Sequence, residues 1–180
     1  HDVLDPVTSA RLIKEHVTEG VKLAKRARLP KPIVDIIQQH HGTTLIKYFY
    51  AKAKEMGLPV EEAEFRYPGP RPQSKEAAIV MLADSVEAAV RAAAQAGKLY
   101  DPNDPHATSR RLAEIVDRVI RERLEDGQLD ESDLTLRQIS EIRQVFLSLL
   151  EGVYHPRVEY PEVAREPVVT PIDERAAAEA

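Results

Sequence analysis

Apolar residues recur every three to four positions through most of the chain, and nowhere does the apolar/polar alternation of a half-buried strand persist. Such a pattern commits the chain to helices that bury one face, so it predicts an all-α fold. Proline and glycine mark the breaks. A first helix is expected over about Thr8 to Arg28, with Leu12, Ile13, His16, Gly20 and Leu23 on one stripe and Leu29-Pro30 as its close. A second runs from about Pro32 to His41, with Ile33, Ile36, Ile37 and His40 on its apolar face and Gly42 after it. A third, about Thr44 to Met56, puts Leu45, Phe49 and Ala53 together ahead of Gly57.

The segment Phe65 to Gln73 holds three prolines and a glycine and reads as a stiff loop. Ser74 then caps a long helix reaching Ala96-Gly97. After the loop Asp101 to Pro105, a helix from about His106 to Glu125 buries Leu112, Ile115, Val116, Val119 and Leu124. The last helix opens on a Thr135-x-x-Gln138 capping box and buries Leu136, Ile139, Ile142, Phe146, Leu149 and Val153. The helical domain therefore spans 1–155. Residues 156–180, first rich in Pro and acid and then in Ala and Glu, are expected to form a partly disordered tail.

Composition narrows the chemistry. The 180 residues contain no cysteine, which excludes a disulfide scaffold, a zinc ribbon and thiolate catalysis. Any metal must then sit on His, Asp or Glu, donors that suit iron, manganese or magnesium, with zinc possible. A net charge of −5 argues against binding a nucleic acid polymer. No stretch approaches the roughly 18 apolar residues of a membrane span, and no signal peptide is visible.

Three histidines stand where a helix should be apolar: His16 with Leu12 and Ile13, His40 after Ile36 and Ile37, and His41 beside it. A lone histidine on an apolar face is most often a satisfied core residue. Adjacent histidines ending a helix shift that balance, because burying two imidazoles without partners costs several kcal/mol and a metal can partner both. Neighbouring helical positions diverge by about 100°, which suits two neighbouring metals better than one. Asp84 interrupts the apolar run Ala77 to Ala83. It reads either as a partly exposed partner of Arg91 or, given the histidines, as a further metal ligand. His1-Asp2 looks like the lead-in to a helix cap, and His106 and His155 sit beside prolines in polar settings.

The segments His16-Val17-x-x-Gly20-Val21-x-Leu23-Ala24, Leu29-Pro30 and Asp35-Ile36-Ile37-x-x-His40-His41-Gly42-Thr43 resemble the later part of an HD-domain phosphohydrolase. Tyr67 to Ile79, Ala83-Asp84-Ser85-Val86-Glu87-Ala88, Leu134-Thr135-Leu136 and Tyr154-His155-Pro156-Arg157-Val158-x-Tyr160-Pro161 narrow the likeness. They resemble the cytoplasmic HD domain of bacterial seven-transmembrane HD receptors of the PgpH type.

The resemblance implies an all-α HD-domain helical bundle, incomplete at its N-terminus, and metal-dependent hydrolysis of cyclic di-AMP to the linear dinucleotide. It makes His16, His40, His41 and Asp84 protein ligands of a centre of two divalent ions, manganese or iron. The family's other ligands are an upstream His and a His-Asp followed by Gly-Lys. Val3-Leu4-Asp5-Pro6 follows His1-Asp2 here, so that dipeptide corresponds to a later segment and the chain begins after the first part of its site. The implied partner is a cyclic dinucleotide, and the implied location the cytoplasmic face of the plasma membrane, reached through a transmembrane region outside this sequence; a homodimer is left open. An anionic dinucleotide also calls for cations and a stacking ring. Arg66, Arg71 and Lys75 cluster around the proline loop, and Tyr67 either stacks on a base or packs on the bundle. Lys75, nine residues before Asp84, starts on the opposite helical face. The competing functions are another HD phosphohydrolase, acting on nucleotides or (p)ppGpp, and a non-catalytic helical sensor.

Overall fold

The Asp5 carboxylate accepts the Thr8 amide at 2.9 Å and Pro6 occupies the first turn, so α1 begins two residues earlier than its apolar stripe suggests and runs Pro6–Arg26. There follow α2 (Lys31–Gln39), α3 (Lys47–Glu55), a 3-10 turn (Glu62–Phe65), α4 (Lys75–Gln95), α5 (Ala107–Glu125) and α6 (Leu136–Tyr154). The computed structural model describes residues 5–154, and among these no strand forms. One isolated antiparallel bridge links Leu45 to Arg66. The expected caps are present. Ser74 Oγ accepts the Ala77 amide at 3.1 Å, and Thr135 and Gln138 exchange bonds at 3.0 and 3.1 Å.

The helices pack in two halves. The first comprises α1, α2, α3 and the 3-10 turn, with Ala10, Phe49, Ala53 and Phe65 buried between α1, α3 and the turn. In the second, α4, α5 and α6 enclose Met81, Leu82, Val86, Val90, Leu112 and Val116. The contact of α2 with α4 joins them. Gly20 sets how close α2 comes to α1: a Cβ there would lie 3.1 Å from Ile37 Cγ2. This close approach, one turn beyond His16, brings α1 up against the end of α2.

Several expected core positions lie at the surface. Leu136, Leu149 and Val153 of α6 are 82, 64 and 73% exposed, whereas Ile139, Ile142 and Phe146 pack on the core. α6 leans on α5 and turns Ile139, Ile142, Phe146, Leu147, Leu150 and Tyr154 to the core, which leaves Leu136, Leu149 and Val153 outside that stripe. Leu12, Leu23, Ile33 and Leu124 are exposed as well. The tail expected over 156–180 lies outside the described residues, as do His1, Asp2 and His155. Among the described residues no helix is long and apolar enough to cross a membrane.

Candidate metal centre

The helix α2 stops at Gln39, two residues short of the expected end. His40 is its C-cap, and the Gly42 amide donates to Gln39 O at 2.8 Å, so the chain turns between the two histidines and Thr43. Gly42 makes that turn possible with a φ of +50°. This corrects the expectation that His40 and His41 diverge as helical neighbours. His41 has left the helix, and the two rings approach to 4.0 Å between centroids. From α1, His16 faces both, at 5.5 Å from His40 and 4.9 Å from His41. One ligating nitrogen from each of the three residues lies within 4.8 Å of the others.

The hydrogen bonds fix how these rings present themselves. Nδ1 of His16 meets the Ile13 carbonyl, and Nδ1 of His40 meets the Ile37 carbonyl at 2.6 Å. A carbonyl only accepts, so both Nδ1 atoms carry the proton and both Nε2 lone pairs are free. His41 places Nε2 3.1 Å from His16 Nε2, and Nδ1 3.7 Å from Asp84 Oδ2. With its proton on Nε2, its Nδ1 lone pair faces a carboxylate. With the proton on Nδ1, two Nε2 lone pairs face each other. A second proton on His41 would remove the conflict, but burial, and then the imidazoles of His40 and His16, hold its pKa down to about 3. A divalent cation removes it directly. The donor set therefore fits a metal on chemical grounds, with backbone carbonyls orienting two of the rings.

Asp84 lies beside this group without belonging to it. Its side chain is 47% exposed, because the buried face of α4 carries Ala77, Ala78, Met81 and Leu82 while Ile79, Val80 and Ala83 lie outward with Asp84. It does not pair with Arg91, which stands 3.5 Å from Glu87. Tyr67 stacks on His41 at 4.4 Å and 21°, so one face of the ring expected against a base is already covered. Burial, and secondarily the Asp84 charge, push its phenol up to about 12.

Among the loop cations, Arg66 is a correction. It donates to both oxygens of Asp126 at 3.0 Å and to the Thr43 carbonyl at 2.9 Å, which makes it a clamp on the histidine turn. Arg71 lies over the Gly127 turn, its Nη1 3.4 Å from where a Cβ would stand. Lys75 is the first residue of α4, half-buried. Neither forms an ion pair among the described residues.

Sequence reasoning missed the residues that hold the turn. Gln128, fully buried, accepts the Thr43 amide at 3.0 Å and donates to the Thr43 hydroxyl and to Asp126, each at 2.9 Å. Gln39, also buried, accepts the Gln73 amide at 2.9 Å and ties the proline loop to the end of α2. It also missed Arg123, whose Nε and Nη2 reach Ser85 Oγ at 3.3 and 3.2 Å, next to Asp84. Its signal was present: Arg123 continues the inward line Ile115, Val119 at the same four-residue spacing that exposed the histidines.

The HD domain family model matches residues 1–89, a span that ends on α4 just beyond Asp84 and contains every histidine of the cluster. The chain belongs to the HD domain family. Within that family it is 45% identical over 166 residues to the cyclic-di-AMP phosphodiesterase PgpH of Bacillus subtilis, covering 92% of the chain and 22% of that protein. PgpH of Listeria monocytogenes is 44% identical over 162 residues, 90% of the chain and 21% of the relative. The chain thus spans about a fifth of the length of these curated relatives. The crystal structure of the Listeria PgpH HD domain in complex with cyclic di-AMP superposes with a TM-score of 0.77 at 45% identity, over 89% of this chain and 70% of that one.

Proposed function

We propose that this chain is part of the catalytic HD domain of a metal-dependent phosphodiesterase that hydrolyses cyclic di-AMP to linear pApA. The observation that carries it is the meeting of three imidazoles at a point where His41 resists a proton, in a chain 45% identical to a domain solved with cyclic di-AMP. On this reading His16, His40, His41 and Asp84 are protein ligands of two divalent ions, manganese or iron, completed by ligands from elsewhere in the longer protein. Such ions supply an acidified water and polarise a phosphoryl oxygen.

The chain's own residues do the rest. His16 and His40 present Nε2 lone pairs because backbone carbonyls hold their Nδ1 protons. Asp84 contributes negative charge that a cationic centre needs, at a position open enough to be reached by a ligand. Tyr67 keeps its proton throughout the neutral range, walls one side of His41 and shields it from water. Tyr67, Arg71 and Lys75 are the substrate contacts of this reading, with the two cations meeting phosphate. A transmembrane region elsewhere in the longer protein holds the domain at the cytoplasmic face of the bacterial plasma membrane.

The test is hydrolysis by the purified longer protein, loaded with manganese, on cyclic di-AMP, with pGpG-forming cyclic di-GMP and (p)ppGpp as comparators. Chromatography should show pApA as the main product of the preferred substrate. A metal-loaded protein that leaves cyclic di-AMP intact and cleaves (p)ppGpp would replace this reading with the alarmone one.

A further inference from the structure

Arg123, on α5, lacks the ion pair that the other two cations of its groove form. Arg123 lines a groove of about 340 Å³ together with the cations Lys47 and Arg66 and the carboxylates Glu62, Glu122, Glu125 and Asp126. Lys47 is neutralised by Glu122 at 2.9 Å, and Arg66 by Asp126 at 3.0 Å. Arg123 forms no ion pair among the described residues, although it is half-buried. It gives two N–H groups to one neutral acceptor, the Ser85 hydroxyl, through bonds of 3.2 and 3.3 Å. A guanidinium carries five such donors in a planar fork. The rest have no hydrogen-bond partner among the described residues. Burial lowers the Arg123 pKa against the charges of Glu122, Asp126 and then Asp84, and the Arg123 charge is felt in turn at His41 and Tyr67. An arginine drawn out of water and left with donors to spare is a device for binding an anion, and phosphate oxygens match its fork best.

We propose that Arg123 is a phosphate-binding residue of this site, hydrogen-bonding a non-bridging oxygen of the substrate's phosphodiester with Ser85 setting its orientation. The inference rests on the function proposed above. It differs from a role in holding Asp84, which would act on the metal ions before any substrate arrives.

The experiment compares the metal-loaded longer protein with Arg123→Gln and Arg123→Lys. It measures metal content, thermal midpoint, and the Kd for a hydrolysis-resistant phosphorothioate analogue of cyclic di-AMP, alongside kcat and KM on cyclic di-AMP. Loss of one charge-assisted contact predicts a Kd weaker by about tenfold or more in Arg123→Gln with metal content unchanged. Arg123→Lys, which keeps the charge and loses the fork, should fall between, and it decides the matter should the glutamine variant fail to fold. An unchanged Kd in variants of an active parent overturns the assignment to Arg123 alone. Loss of metal from either variant overturns it in favour of a positioning role through Ser85 and Asp84. A metal-loaded parent that neither binds the analogue nor hydrolyses cyclic di-AMP removes the functional reading, and this inference with it.

Discussion

Gln128 grips Thr43 from across 85 positions of sequence, accepting its amide at 3.0 Å and donating to its hydroxyl at 2.9 Å. Thr43 lies two residues after His41, so a buried amide from the turn after α5 fixes the backbone that aims a candidate ligand. The same Nε2 reaches Asp126, whose carboxylate takes the Arg66 fork, and Arg66 returns to the Thr43 carbonyl at 2.9 Å. Each polar group of this closed circuit is paired, which is what makes a buried network stabilising instead of costly.

Replacing Gln128 by Leu should therefore cost about 2–4 kcal/mol, since it strands a buried amide and a hydroxyl together. Urea denaturation of the two proteins checks the size. A loss under half a kcal/mol would mean that water enters and takes over the bonds.

Gly42→Ala attacks the same turn from its other side. The backbone sits at φ +50°, and the new Cβ would lie 2.5 Å from Gln128 Oε1 and 2.8 Å from Met81 Cε. Strain and overlap together should cost about 2–3 kcal/mol. Because Gly42 and Gln128 touch, the double variant should lose less than the sum of the two, measurable as a double-mutant cycle.

The sequence made the helices legible because period and punctuation agree: Ser74, Thr135 and Gly57 mark boundaries that local chemistry alone decides. It also exposed His16, His40 and His41, since a polar ring in an apolar stripe stands out. What it could not show depends on distant partners. The exposure of Leu149 follows from which side of α6 meets the core, and the convergence of His40 with His41 follows from a turn that Gln128 and Arg66 hold from afar. Arg66 looked like a ligand for phosphate until Asp126, sixty positions on, claimed it.

Acid should weaken the metal-free protein earlier than its carboxylates alone would. Unfolded His41 titrates near 6.5, whereas burial and its two imidazole neighbours hold the folded group at about 3. Between those values the unfolded chain binds a proton that the folded chain does not. Stability is thus full above pH 6.5 and falls as the pH drops towards 3, by up to about 1.4 kcal/mol per pH unit. Denaturation in chelator at pH 7 and pH 5 should show the drop in the parent and a smaller one in His41→Gln. Equal drops would assign the effect to other groups.

Asp84→Asn in the longer protein should abolish turnover of cyclic di-AMP while moving the unfolding free energy by no more than about 0.5 kcal/mol. The side chain is half-exposed and supports no packing, so only the lost negative charge should register. Circular dichroism and hydrolysis, measured on one preparation, separate the two effects. Near-normal turnover would leave Asp84 as no more than a neighbour of His41.

On the proposed reading, His16, His40 and His41 hold the metal ions of this site together with Asp84, and metal content of the longer protein by elemental analysis tests that most directly. The account predicts that Ala at any one of the three lowers the bound metal per chain and that each variant still melts cooperatively. Unchanged metal content in all three, with lowered melting temperatures, would show them to be core histidines and would contradict the account.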